Sequence, residues 1–415
     1  MSEAVTVPAL RFPEFEGDWE DSKLGGTVSL QSGFAFASEQ FGETGTKLVT
    51  PKNFTKSGAG SFTASNTKYT TEQVDEKFLC SEGDLLALLT DLTPSCELLG
   101  KPLELTAADG EVLLNQRIVR IDPLEGKIQK GFLKAFMLRN DFHVRMFTTA
   151  SGTTVRHSSN KVLRETPINI PSLPEQKKIA AFLGVVDAKL TALRDRVALL
   201  ERYKRGLMQA LFSQSLRFTR SDGTAFPDWE EKRLGDLAQR STLKNTKLDY
   251  MRVLTNSAVR GVVDQGDYFD KDIANVESLA GYYVLKEGDF VYNPRISVHA
   301  PVGPIKRNDL GDGVMSPLYT VFRFKDADTT FYNVYFATTF WHKYMKSVAN
   351  YGARHDRMAI TSSDLMNMPL PVPHPDEQQK IADALSAMDA KIAAVSDQVA
   401  QMEQFKKGLL QQMFV

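Results

Sequence analysis

Three things are scarce in this chain. The only cysteines, Cys80 and Cys96, are too few for a disulfide framework and sit at no metal-binding spacing, which points to a reducing cytoplasm. No apolar run approaches the roughly 18 residues of a membrane span, and the N-terminal residues lack the basic and apolar regions of a signal peptide. The expectation is a cytoplasmic protein that does not engage a membrane. Charge of one sign is also missing: 50 Lys and Arg stand against 51 Asp and Glu, a net of −1. A uniformly basic nucleic-acid surface is thereby excluded, and any such role must rest on local patches. Neither a G-x-x-x-x-G-K-[ST] phosphate loop nor an H-E-x-x-H zinc helix occurs, and the six histidines form no catalytic or metal constellation.

What the chain does have is a second copy of itself. The stretch PEQKKIAAFLGVVDAKLTALRDRVALLERYKRGLMQALF, 174–212, matches DEQQKIADALSAMDAKIAAVSDQVAQMEQFKKGLLQQMF, 376–414, without a gap at an offset of 202 residues. Upstream the match is weaker. Leu10-Arg11-Phe12, Trp19 and Leu24-Gly25 recur as Leu216-Arg217-Phe218, Trp229 and Leu234-Gly235, and Glu82-Gly83-Asp84 recurs as Glu287-Gly288-Asp289. The period is far too long for a solenoid, so it marks a duplicated scaffold carrying two divergent inserts.

Both copies of the duplicated stretch carry a heptad seam. Ile179, Leu183, Leu190 and Val197 belong to the first, and Ile381, Leu385, Ile392 and Val399 to the second. Each seam breaks once, at Lys204 and at the equivalent Lys406. Such helices cannot bury an apolar stripe alone. The first begins where insert one ends, and the second begins where insert two ends, so mutual packing makes them antiparallel and closes the chain into a pseudo-twofold circular arrangement. A helix of this length spans ~58 Å and would hold the inserts apart; a homodimeric coiled coil is the alternative. The predicted fold is α+β, with domains at 1–172, 173–214 (central helix), 215–373 and 374–415 (C-terminal helix).

Within the inserts, β-rich runs occur at 281–285, 289–292 and 318–324, and alternation over 113–121 predicts another strand. Helices are expected around 132–142 and 331–347. Pro-rich segments at 167–174 and 369–375 close the inserts. Between Arg117 and Arg164 ten Lys or Arg face three Asp or Glu. That asymmetry suits either a phosphate-facing surface or a solvated face of mixed charge.

The opening LRFPEF with Trp19 and Leu24-Gly25, the GFAF at 33–36, the P..EQ.KIA helix starts and the K.GL...F helix ends together resemble the specificity subunit of type I restriction-modification systems. FVYNPR at 290–295, SPLYTVF at 316–322 and GARHDRM at 352–358 extend the likeness over essentially the whole chain. The resemblance implies two target recognition domains, each reading one half of a split sequence in double-stranded DNA. It also implies helices that dock two modification (methyltransferase) subunits, with restriction (motor-nuclease) subunits joining for cleavage. S-adenosylmethionine, ATP and Mg would then sit on those partners, leaving this chain with no cofactor, no metal and no catalytic residue.

Base reading needs paired donors or acceptors on a loop that fits a groove. Each insert ends with a glycine followed by Arg-His: Arg156-His157 after Gly152, and Arg354-His355 after Gly352 with Arg357 beyond. Lys52, Asn53, Asn256, Arg260 and Arg295 are further candidates, and all of these also suit an ordinary polar surface. Phe34 and Phe36 suit a core better than a base-stacking site. Tyr292-Asn293-Pro294-Arg295 lacks the second proline and the aromatic of an adenine methyltransferase motif. The competing readings are a coiled-coil adaptor with two protein-binding ends and a stand-alone enzyme.

Overall fold

The computed structural model describes residues 7–93, 95–152, 155–268, 276–326, 328–350 and 356–415. Two compact units are present: Met1–Asp195 with Ser396–Val415, and Arg196–Val395. Each unit holds one half of each long helix, Leu173–Phe212 and Pro375–Gln412. Among the described residues no helix is long and apolar enough to cross a membrane.

Duplication is plain in the sheets. In the first unit, Val112–Leu114 runs parallel to Thr46–Val49 and antiparallel to Leu79–Cys80. In the second, Gly313–Met315 runs parallel to Val253–Ser257 and antiparallel to Tyr283–Leu285. A second sheet in each unit centres on Leu85–Leu88 beside Ile118–Pro123, and on Phe290–Tyr292 beside Thr320–Phe324. The Glu-Gly-Asp turns that lead into these strands need glycine, since Gly83 and Gly288 adopt φ of +85° and +84°. In each turn the aspartate closes the loop, Asp84 accepting from Ser81 N and Asp289 from Lys286 N.

The alternation over 113–121 is not one strand. A turn at 115–117 breaks it into Val112–Leu114 and Ile118–Pro123, which belong to different sheets. The expected helices form as pairs, Lys130–Leu138 with Asn140–Thr148 and Thr330–Phe336 with His342–Val348. Neither Pro-rich segment is a mere joint. Pro167–Ile170 pairs with Glu20–Lys23, and Pro369–Val372 with Glu230–Arg233, in two-stranded ribbons that tolerate the missing amide of proline.

The repeated sequence signature has a repeated physical purpose. Arg11 donates through Nε and Nη2 to the two carboxylate oxygens of Glu175, both at 2.8 Å. Arg217 does the same to Glu377, at 3.1 and 2.8 Å. Both glutamates are buried, and hydrogen bonding to the carboxylate holds each guanidinium above its ordinary pKa. The following glutamines brace the entry to the helix, Gln176 Nε2 donating to Pro171 O and Gln378 Nε2 to Pro373 O, each at 2.9 Å. At the far ends Leu10 N donates to Gln412 O, and Leu216 N to Ala210 O. One asymmetry remains: Trp229 Nε1 donates to Glu377 at 3.0 Å, whereas buried Trp19 Nε1 has no partner among the described residues.

Within each unit the helix halves run antiparallel. In the first, Asp187 pairs with Lys406 and Arg194 with Glu403, both at 2.6 Å. In the second, Lys204 pairs with Asp389 at 2.5 Å. The two lysines that interrupt the seams thus meet aspartates related by the same 202-residue offset. Ile179, Leu183, Leu190, Ile381 and Leu385 are buried, while Val197, Ile392 and Val399 are half-buried.

Arg11→Ala or Arg217→Ala leaves a buried carboxylate without its counter-charge and is expected to cost about 3 kcal/mol. Segment-resolved hydrogen exchange should show protection lost in the first unit only for Arg11→Ala and in the second only for Arg217→Ala. Equal loss in both units would contradict the assignment of one clamp to each.

Candidate nucleic-acid interface

In the second unit two loops leave the sheets side by side. The strand Phe290–Tyr292 runs into residues 293–300, and Val253–Ser257 turns at 257–261. Two buried asparagines tie their bases together. Asn256 Nδ2 donates to Val291 O at 2.8 Å, and Asn293 Nδ2 donates to Asn256 O at 2.9 Å. A serine stiffens each tip: Ser257 Oγ accepts from Val259 N and Arg260 N, and Ser297 Oγ accepts from Ala300 N. Gly303, at φ +77°, lies so close beneath that a Cβ there would stand 2.1 Å from Asn293 O.

A third segment joins them. Ile296 N donates to Asp356 O at 3.0 Å and Met358 N to Pro294 O at 2.9 Å, which sets Arg295 opposite Arg357. Arg260, Arg295 and His299 are exposed. Arg357 keeps a buried Nε with no hydrogen-bond partner among the described residues, 3.6 Å from Asp356 Oδ2. Two arginines paired at one backbone bridge, with an exposed aspartate beside one of them, make a polar corner that suits a phosphate or an acceptor-rich base edge.

The first unit builds the corresponding corner with other side chains. Thr90–Asp91 pairs with Arg156–His157, and Ser158 N donates to Leu89 O at 2.8 Å, as Met358 N does to Pro294 O. His157 therefore corresponds to Arg357, and Arg156 to Asp356. His157 is exposed, its Nδ1 lying 2.9 Å from Thr90 Oγ1. Arg156 is half-buried, with its guanidinium 4.3 Å over the Phe147 ring and Nη1 donating to Phe147 O.

Several expectations change. Asn53 and Asn256 are interior ties, not base readers. Asn53 Oδ1 accepts from Thr50 N at 2.7 Å and its Nδ2 donates to Ser61 O at 3.0 Å, while neighbouring Lys52 is exposed. The basic stretch 117–164 is not a free patch either. Six of its ten cations are engaged inside the fold, among them Arg120 with Asp122, Lys134 with Glu104, Arg139 with Asp141 and Lys130 with Gly83 O. Arg354 and His355 lie outside the described residues. Phe36 is buried and Phe34 packs against it, as expected of a core pair. Val259, Val298 and His299, exposed on the same two loops, are not singled out by the sequence, since nothing in their spacing sets them apart from an ordinary loop.

The model of the type I restriction modification DNA specificity domain family matches the chain twice, over residues 16–202 and 227–404. The MjaVIII type I restriction enzyme specificity subunit of Methanocaldococcus jannaschii is 25% identical over 361 residues, covering 81% of this chain and 79% of that protein. The putative MjaX specificity subunit of the same organism is 24% identical over 323 residues, covering 72% and 70%. Among solved structures, the S subunit of a type I restriction-modification system from M. genitalium superposes with a TM-score of 0.56 at 14% identity, covering 99% of both chains, a likeness of fold.

Asn53→Ala and Asn256→Ala should each lower stability by about 1–3 kcal/mol, because each strands buried backbone groups. Urea denaturation measures the loss. Wild-type stability combined with altered DNA preference would return these residues to the interface.

Proposed function

The chain belongs to the type I restriction modification DNA specificity family, and from that premise we propose that it reads a bipartite duplex target, one half-site per unit. The observation that carries this reading is the contrast between scaffold and tips. Arg11–Glu175 and Arg217–Glu377, Lys406–Asp187 and Lys204–Asp389 repeat residue for residue. The corners differ, with Thr90 and His157 in one unit where the other has Arg295 and Arg357. Two unlike readers on like supports suit a target with two unlike halves.

Phosphate contacts position such a reader, and side chains at base edges specify the sequence. Among the described residues, Arg260, Arg295, Arg357, His157 and Lys52 are groups suited to these tasks. The chemistry belongs to partners. Two modification subunits carry S-adenosylmethionine and methylate the target, while restriction subunits use ATP and Mg, and the complex acts on DNA in the cytoplasm. Much of the helix seam is occupied by packing within the units, so partners dock on the outward helix faces. There Tyr203 and Phe405, again 202 residues apart, are exposed.

The decisive experiment maps methylated bases in DNA of the source cell with and without this gene. A split motif that disappears with the gene is the expected outcome, and an unchanged methylome refutes the reading. With that motif in hand, Arg295→Ala and Arg357→Ala should each weaken binding by about 1–3 kcal/mol and relax preference within a single half-site. Calorimetry on the purified chain should give no heat with S-adenosylmethionine; micromolar binding would contradict the division of labour.

A further inference from the structure

The tips of the second unit carry side chains that neither the cationic corner nor folding explains. Val298 is 96% exposed and Val259 is 70% exposed. Each sits on a loop whose base is fixed by the Asn256 and Asn293 amides and whose turn is closed by a serine hydroxyl. Valine is a poor choice for such a position. Its branched Cβ suits strands, turns favour Gly, Asn, Asp, Pro and Ser, and a side chain in water contributes nothing to the core. Yet each valine shares its loop with an arginine: Val259 directly precedes Arg260, and Val298 lies on the loop that begins with Arg295. The first unit, by itself, also exposes an aliphatic side chain there, without an arginine beside it in the chain. Leu92, 51% exposed, follows Thr90–Asp91 on the corresponding loop.

An aliphatic group offers a duplex no hydrogen bond, so it cannot hold a phosphate or read a donor or acceptor. In the major groove one base edge presents an apolar group, the C5 methyl of thymine, and aliphatic contact is the means by which that methyl is read. We propose that Val298, supported by Val259 on the adjoining tip, reads a thymine methyl in the half-site of the second unit. The arginines on the same loops take the phosphates or acceptor edges around it. This inference rests on the DNA-reading function proposed above and adds the class of base that the tips select.

The test uses the full chain assembled with its modification subunits and a duplex of the motif recovered by methylome mapping. Thymidine is replaced by 2′-deoxyuridine, which lacks only the methyl, one position at a time in either half-site or in the spacer. One position in a single half-site should lose about fourfold in affinity, the factor expected for burying one methyl-sized group. Spacer positions should lose nothing. Val298→Ala, which removes no buried surface, should bind the thymine and uracil duplexes alike, with Val259→Ala giving a smaller effect at the same or an adjacent position. The inference is overturned if the half-site contains no thymine, if wild type binds the uracil duplex equally, or if both alanine variants keep full discrimination. Failure to bind any sequence selectively would instead refute the DNA-reading function itself.

Discussion

A buried carboxylate at the start of each long helix is the constraint on which the rest of the fold hangs. Glu175 and Glu377 are almost wholly out of water, a placement that is unfavourable unless the charge is matched and its lone pairs are filled. Arg11 and Arg217 do both with a planar two-bond contact, and each also donates to backbone carbonyls of its own segment, Gly17 and Glu16 in one case and Pro227 in the other. One ion pair therefore anchors the segment leading into the unit, the helix leaving it and the ribbon between them. A lysine could match the charge but not the fork geometry.

The same economy governs the helices. An apolar seam specifies that two helices pack, yet leaves direction and register loosely defined. Lys204 and Lys406 interrupt the seam where Asp389 and Asp187 await them. A slip by one turn would leave ammonium groups against apolar neighbours. The polar breaks therefore define the register that the leucines and isoleucines leave open.

Much of this was legible beforehand, for reasons that can be named. Heptads and a 202-residue repeat are properties of the one-dimensional chain, so helices, seams, duplication and the Lys breaks could be read directly. The strand at 113–121 misled because alternation looks the same in one strand as in two flanking a short turn. Asn53 and Asn256 misled because an amide that can grip adenine can equally grip a carbonyl, and only tertiary placement decides between them. Arg156 was matched to Arg354 by sequence, but insertions shift the register, and the backbone hydrogen bonds of Ser158 and Met358 make Asp356 its counterpart. Charge counting over 117–164 failed for a related reason: it registers sign but not engagement, and these cations are tied to groups within the stretch, such as Asp122 and Asp141, and beyond it, such as Gly83 O and Glu104.

The amide clamps beneath the tips bear on how such a molecule changes over generations. Asn256 and Asn293 hold the projecting loops through backbone carbonyls, and none of those bonds involves the side chains at the summit. Substitutions at 259, 260, 295, 298 and 299 therefore touch none of these bonds, and the loops keep their anchorage whichever side chains stand at the summit. A lineage carrying this scaffold can vary the rim by single substitutions and still keep a well-folded subunit, open to the next change.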